Sequence, residues 1–364
     1  MSTKLDSFPI DDGFKMPGEH ESHQEIWMAW PTRSDNWRFS GKLAQQAFTD
    51  VATAIAQSTP VVMLVEQSQY SNARQHLPDH IKVIEMSYND CWMRDIGATY
   101  LVNSNGQRRA VSWKFNAWGG LVDGLYFPWD LDDLVSDKMA NITEDDFYQA
   151  PFVLEGGSIH SDGEGTIYTT EECLLHPSRN PDLTKAEIEH LLCKYLGAQK
   201  VIWLPQGLYN DETNGHVDNI MHVIAPGKVA LTWCDNPDDP QYKISQDAFR
   251  ALTQTTDAQG RQIQVFKLPL PGPLYITKEE AFGIDASEGM EREEGERLAA
   301  SYANFLITNS SIIFPLLDDQ KDAEAKLVLQ EAFPNYRIIG VPAREILLGG
   351  GNIHCITQQV PALV

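Results

Sequence analysis

The 364-residue chain contains no run approaching the roughly 18 uninterrupted apolar residues of a membrane span, so no segment is expected to cross a bilayer as a helix. Basic residues are few: 28 Lys and Arg stand against 51 Asp and Glu, a formal net charge of −23. Nucleic acid and anionic membrane surfaces both require basic protein faces, so neither is expected as a partner. A cationic small molecule would be attracted, although solubility alone accounts for most such charge. Cysteine is scarce too. Five residues, an odd number without close pairing, exclude a disulfide framework and point to a reducing compartment. Residues Met1-Ser2-Thr3-Lys4-Leu5-Asp6 lack the basic and apolar regions of a signal peptide, so the cytoplasm is the expected location. Low-complexity segments and linkers are missing, and a single catalytic domain over residues 1–364 is expected.

What is present is a globular composition, 42% hydrophobic and 10% aromatic. Ile26-Trp27-Met28-Ala29-Trp30-Pro31 reads as a buried strand stopped by proline, and residues 44–57 as an amphipathic helix. Pro60-Val61-Val62-Met63-Leu64-Val65 reads as a strand buried on both faces. A helix-then-strand unit then recurs. Ile81 to Met86 is followed by Asn89 to Asp95. Helical 186–196 precedes Val201 to Pro205, and a helix near 248–253 precedes Ile263 to Pro269. Helical 323–332 precedes Tyr336 to Pro342. The acidic stretch 288–296 reads as the start of an exposed helix that turns apolar at Leu298.

A second repeat is sharper. Leu154-Glu155-Gly156-Gly157-Ser158-Ile159-His160-Ser161 aligns without a gap to Leu348-Gly349-Gly350-Gly351-Asn352-Ile353-His354-Cys355, sharing the pattern L-x-G-G-x-I-H. Segments 94–102, 215–223 and 300–307 look like the same loop-then-strand element. Five such elements suggest a repeat architecture, an α/β propeller whose loops converge on one axis.

The converging loops carry Trp92, Asp95, Glu155, His216, Asp218 and Cys355. A cysteine behind a glycine run, where Gly351 and its neighbours let backbone approach a ligand, is a candidate nucleophile. The plainer reading is a tight turn beside a structural thiol. His216 suits general acid and then general base. It shares a face with Asp218 if that segment is extended, and Glu155 would orient it and raise its pKa. Asp95 and Asp218 would suppress a nearby thiolate unless a cation sat between them, and a planar guanidinium suits two carboxylates. Asp95 could instead form a local pair with Arg94. Trp92 and Trp118 are pocket walls or core aromatics. Cys91, the rival nucleophile, is disfavoured by Asp90 and Asp95, and Cys173, Cys193 and Cys234 read as structural. A zinc site from His216, His222 and Cys355 fits no common ligand spacing, so neither metal nor cofactor is expected.

At these residues the chain resembles the agmatine deiminase family of guanidine-modifying enzymes. The resemblance runs through Gly13-Phe14-Lys15-Met16-Pro17, Trp27 to Pro31, Asp35 to Arg38 with Gly41-Lys42, and Trp92 to Asp95. It continues through Leu154 to Gly157, Glu212 to Asn219, Leu298 to Phe305 and Gly349 to Cys355. It implies a five-bladed α/β propeller and a cofactor-free hydrolase of polyamine (putrescine) biosynthesis that converts agmatine to N-carbamoylputrescine and ammonia. Cys355 is then the nucleophile and His216 the acid/base. Asp95 and Asp218 hold the guanidinium, and Glu155 holds the histidine and the guanidinium together. Trp92, Trp118 and Gly351 would line the substrate site, and Glu212 would receive the ammonium tail. The resemblance also allows a homo-oligomer, with no interface legible in the sequence. Rival readings are a deiminase of arginine or peptidyl-arginine, for which Arg94 is the one basic residue in a site motif, and a non-catalytic guanidine- or polyamine-binding protein.

Overall fold

Five separate sheets make up the computed structural model, which describes residues 2–285 and 292–363. In each sheet a first strand runs antiparallel to a second, and the second runs parallel to a third. The second sheet contains Thr99–Val102, Arg108–Lys114 and Phe147–Val153, with Lys4–Leu5 added at its edge. The third contains His160–Ser161, Thr166–Thr170 and Lys200–Leu204. The fourth contains Met221–Ala225, Lys228–Trp233 and Gln264–Pro269, and the fifth Leu306–Ile307, Ser311–Leu316 and Arg337–Pro342. The first sheet takes its antiparallel strand, Gln358–Pro361, from far along the chain and pairs it with His23–Ala29. Val61–Val65 and Lys82–Glu85 complete that sheet.

A parallel pair needs a crossover, and each sheet uses a helix for it. These helices are Lys42–Ile55, Val135–Ile142, Lys185–Leu196, Pro240–Thr253 and Asp322–Ala332. The fourth begins eight residues before the segment the sequence suggested, with Pro240 in its first turn and Asp239 accepting from the Gln241 amide at 2.9 Å. Thr184 and Glu187 form a reciprocal capping box at the start of Lys185–Leu196. Gly197 ends that helix in the left-handed region, where a Cβ would strike the Phe14 carbonyl. Strand Val61–Val65 is buried along its whole length and lies inside its sheet, paired on both edges. The helix expected from 288–296 does not form in its described part: residues 292–300 make turns and an isolated bridge at Arg297, and the remainder lies outside the described residues.

The five first strands meet near one centre. The rings of His160, His222 and His354, from three different units, lie 4.3–5.1 Å apart. Glu19 enters the same place and accepts from the Ile307 amide of the fifth sheet at 2.8 Å, while Gln358 donates to Ala98 beside the second at 2.8 Å. Four of the five loop-then-strand segments read from the sequence end in these inner strands, and the fifth, Leu348 to Cys355, ends in a turn ahead of its strand at Gln358.

Candidate active site

Each first strand is preceded by a tight turn, and those turns carry the chemistry. Asp95 sits on the single helical turn Met93–Ile96, with Arg94 N donating to the Cys355 carbonyl at 3.1 Å. Glu155 precedes the 3-10 turn Gly156–Ser158. His216 caps the helical turn Val217–Ile220, so His216 and Asp218 do not share an extended face as expected. They come together through a curled backbone instead. Cys355 likewise lies in a turn at 353–356 and not on a strand; the strand begins at Gln358.

Three of these side chains converge on Gly157. A methyl group there would lie 2.5 Å from His216 Nδ1 and 3.0 Å from both Asp218 Oδ2 and Asp95 Oδ1. Gly157 N donates to Asp95 Oδ1 at 2.8 Å, and Trp118 Nε1 donates to Asp95 Oδ2 at 2.9 Å. Ala117 and Trp118 both adopt left-handed φ, 52° and 62°, a conformation costing on the order of 1–3 kcal/mol for a side-chain-bearing residue. That backbone places the Trp118 indole on Asp95 and its carbonyl on Arg179. Cys355 Sγ faces Asp218 Oδ2 at 3.8 Å and the Asn304 amide at 3.2 Å to Nδ2. His216 Nε2 is 3.7 Å from Glu155 Oε2, and Nδ1 is 3.9 Å from Asp95 Oδ1.

Burial decides the charges here. It pushes the Cys355 thiol well above its ordinary value, and the Asp218 and Asp95 carboxylates add to the push. Burial also raises Asp95 to about 6, against the pull of His216. Glu155 resists burial because the Arg179 guanidinium, whose Nε donates at 2.7 Å, and His216 hold it at about 2. For His216, burial favours the neutral ring, but Asp95, Cys173 and Glu155 together hold it well above the usual histidine range. The Cys91 thiol is pushed far up by burial and then by Asp90, the obstacle expected for this rival nucleophile.

A narrow pocket of about 280 Å³ opens over Cys355, lined by Trp92, Asp95, Trp118, Leu125, Glu212, Thr213 and Gly349 to Gly351. A Cβ on Gly351 would collide with the Trp92 ring and lie 3.1 Å from Cys355 Cβ, so this glycine is what lets indole and thiol stand close. A wider groove of about 1130 Å³ beside Trp233 and Lys267 touches none of the candidate residues and offers no comparable chemistry. Glu212 lies at the narrow pocket but is ion-paired with Arg292, whose Nη2 also donates to the Gly349 carbonyl at 3.1 Å. Arg94 does not pair with Asp95. It points away, toward the His354 carbonyl, Gln359 and Glu19. His222 is not beside His216 and Cys355, so the paper zinc site does not assemble; its ring joins Glu19, His160 and His354 instead.

Four residues at the centre carried no role in the sequence reading: Arg179, Asn304, His354 and Glu19. Asn304 sits in one of the five repeated segments, and that position was its only signal. Arg179 comes from an irregular loop with no periodic pattern, and Glu19 is 335 residues from the histidine it contacts.

The Porphyromonas-type peptidyl-arginine deiminase family model matches residues 15–361. The chain is 62% identical over 361 residues, 99% of each chain, to a Photobacterium profundum protein provisionally named agmatine deiminase. It superimposes on the agmatine deiminase of Enterococcus faecalis, described as catalysing its reaction, with a TM-score of 0.98 and 50% identity over the whole of both chains. A substrate-bound cysteine-to-serine variant of the agmatine deiminase of C. jejuni matches at 28% identity over 96% of this chain and 98% of that one, with a TM-score of 0.82. With its mixed α/β fold and these turn-borne residues, the chain belongs to the Porphyromonas-type peptidyl-arginine deiminase family.

Proposed function

We propose that this chain is an agmatine deiminase, a single catalytic domain whose five sheets are the blades of a five-bladed α/β propeller. Agmatine and water would give N-carbamoylputrescine and ammonia. The observation that carries this reading is a pair of buried carboxylate oxygens without hydrogen-bond partners among the described residues: Asp218 Oδ1 and Glu155 Oε2. Buried acceptors left unpaired cost about 1–3 kcal/mol each, and a guanidinium with its fork of N–H donors is a ligand that satisfies them.

The guanidinium enters between Asp218 and Asp95, and its charge offsets the carboxylates that hold the Cys355 thiol protonated. The proton leaves to solvent and the thiolate attacks the guanidinium carbon. His216, an imidazolium held by Asp95 and Glu155, gives a proton to the departing nitrogen. The C–N bond breaks, ammonia leaves, and a thiouronium remains on sulfur. The now neutral His216 takes a proton from water as its oxygen attacks that carbon. Cleavage of the C–S bond returns the thiolate, and the adduct's hydroxyl proton passes to solvent as the C=O of the ureido product forms and the product leaves. Orientation and fixed charges supply most of the acceleration.

Ammonia release across agmatine, arginine and a peptidyl-arginine tests the reading, which expects agmatine to have the highest kcat/KM. A second reading draws on Arg292. Beside Glu212 at the pocket mouth it forms a charge pair complementary to the zwitterionic head of free arginine. A higher kcat/KM for arginine would favour it. Calorimetric binding of agmatine without ammonia release would favour a non-catalytic binder.

A further inference from the structure

His354 precedes the nucleophile in the chain, and both of its ring nitrogens are engaged. Nδ1 lies 2.8 Å from Asp218 Oδ2, and Nε2 lies 2.8 Å from Glu19 Oε2. The ring is 1% exposed. A neutral imidazole has one N–H, so one of those contacts would set two lone pairs against each other. Neither carboxylate is placed to bring its own proton. Burial opposes ionisation of Glu19, but His354 and His222 hold it well below the usual range. Asp218 is likewise lowered against its burial, by His354 first and then His216. Each contact needs one proton, and with both carboxylates held ionised the two protons fall to His354.

The other charged and titratable groups around it agree. His222 Nε2 is 3.4 Å from Glu19 Oε1, Arg94 Nη2 is 3.9 Å from Glu19 Oε2, and the His160 ring packs 5.1 Å from His354. Burial and the neighbouring His222 and His354 keep His160 neutral. The ligating atoms of Glu19, His160, His222 and His354 lie within 4.8 Å of one another, which could suggest a metal. A protonated Nε2 has no lone pair to offer, and the guanidinium of Arg94 stands close to the one carboxylate of the set.

We propose that His354, kept as an imidazolium by Glu19, is a positioning residue for the deiminase reaction. It fixes Asp218 through Oδ2, leaves Oδ1 for the guanidinium, and offsets the carboxylate charge beside the Cys355 thiol. The kinetic part of this inference rests on the agmatine reading; the charge state of His354 does not.

The test uses the full-length protein and two variants, Glu19→Gln and His354→Gln. Loss of a charge-assisted hydrogen bond corresponds to about a ten- to hundredfold effect. His354→Gln is expected to lower kcat/KM for agmatine by that factor at every pH, with much of the loss in KM. Glu19→Gln preserves the shape and withdraws the charge that holds the second proton. Its His354 therefore deprotonates at lower pH than in the wild type, so activity is lost near pH 8 and regained near pH 6. Alkylation of Cys355, followed by peptide mass spectrometry, is expected to need a higher pH in both variants. Ring 15N spectra of histidine-labelled wild-type protein should show two imidazoliums persisting through neutral pH, that of His216 and a second from His354, a readout that needs neither variant to fold; a single one would overturn the proposal.

Wild-type kcat/KM and alkylation profiles in both variants would overturn the proposal. So would an equal loss at pH 6 and pH 8 in Glu19→Gln, which marks mere packing. One zinc per purified chain, with chelation altering the histidine spectrum, would overturn it in favour of a metal site. If the wild type releases no ammonia from any guanidine, the agmatine reading fails, while the 15N spectrum still decides the charge of His354.

Discussion

The loops Leu154 to Ser161 and Leu348 to Cys355 share one sequence pattern and equivalent places in the fold, yet they do different work. Each leads into the first strand of its sheet, and each sends its histidine to the same central cluster. They part at the last residue. In the earlier loop the strand starts at His160, so Ser161 is held in the ladder opposite Ile167, and its hydroxyl donates to the Met16 carbonyl at 3.0 Å. In the later loop the chain curls through a turn at 353–356 before its strand begins, which swings Cys355 Sγ toward Asp218 and Asn304. They differ at the second residue as well. Glu155 reaches Arg179 and His216, whereas a Cβ on its counterpart Gly349 would come within 2.5 Å of the Trp37 ring. The repeat fixes a backbone address, and the local turn decides what a side chain at that address can touch.

The largest expected effect comes from making the loops alike at their last position. Cys355→Ser removes the nucleophile and should lower kcat/KM for agmatine by roughly 10⁴-fold or more, as loss of a covalent nucleophile does elsewhere. Circular dichroism and thermal melting should match the wild type. Turnover retained within tenfold would remove Cys355 from the mechanism.

The glycines come next. Gly157→Ala drives a methyl group against His216, Asp218 and Asp95 together, and displacement of catalytic groups by about 1 Å costs on the order of 10²-fold. Its cost should fall on kcat. Gly351→Ala meets the Trp92 ring and Cys355 Cβ, so its cost should fall more on KM, by narrowing the pocket. Steady-state kinetics of the two variants separate the roles, and identical kcat and KM changes would show that the loops are not divided in this way.

Much of this was legible in the sequence, and the limits follow from physics. Inner-strand segments and the candidate nucleophile, histidine and carboxylates could be read because a two-residue strand period and a seven-residue motif are local signals. The curl that carries His216 and Asp218 was not readable, since a four-residue helical turn such as Val217–Ile220 is too short to leave a periodic trace. Glu212 looked like a free carboxylate because its partner Arg292 lies 80 residues away. Arg179 and Glu19 escaped for the same reason: buried charges need partners, but nothing in linear order names them.

Glu155→Gln tests the carboxylate that one loop has and the other lacks. The Glu155–Arg179 pair is fully buried, and removing one partner leaves an uncompensated charge, at a cost of about 3–5 kcal/mol. Glu155 is held at about 2, below the roughly 4.3 of an unfolded glutamate. Its contribution is therefore complete above about pH 4.3 and fades as pH falls toward 2. Denaturant unfolding should show a large gap between wild type and variant at neutral pH that closes across that acid window. A gap independent of pH would mean that packing, and not the charge, is lost.

The smallest expected effect is the most direct test of address against turn. Cys355→Ser combined with Ser161→Cys moves the thiol from one loop to the equivalent position of the other. Sequence alignment alone would allow rescue, because the two positions correspond without a gap. The structure does not, since position 161 is held in a strand facing Met16, away from Asp218 and His216. The double variant should therefore release ammonia no faster than Cys355→Ser alone, within about twofold, the measurement being the same coupled ammonia assay. Recovery of even a hundredth of wild-type kcat would show that the earlier loop can curl as the later one does, and that the strand pairing of His160 and Ser161 is too weak to assign the nucleophile to one loop.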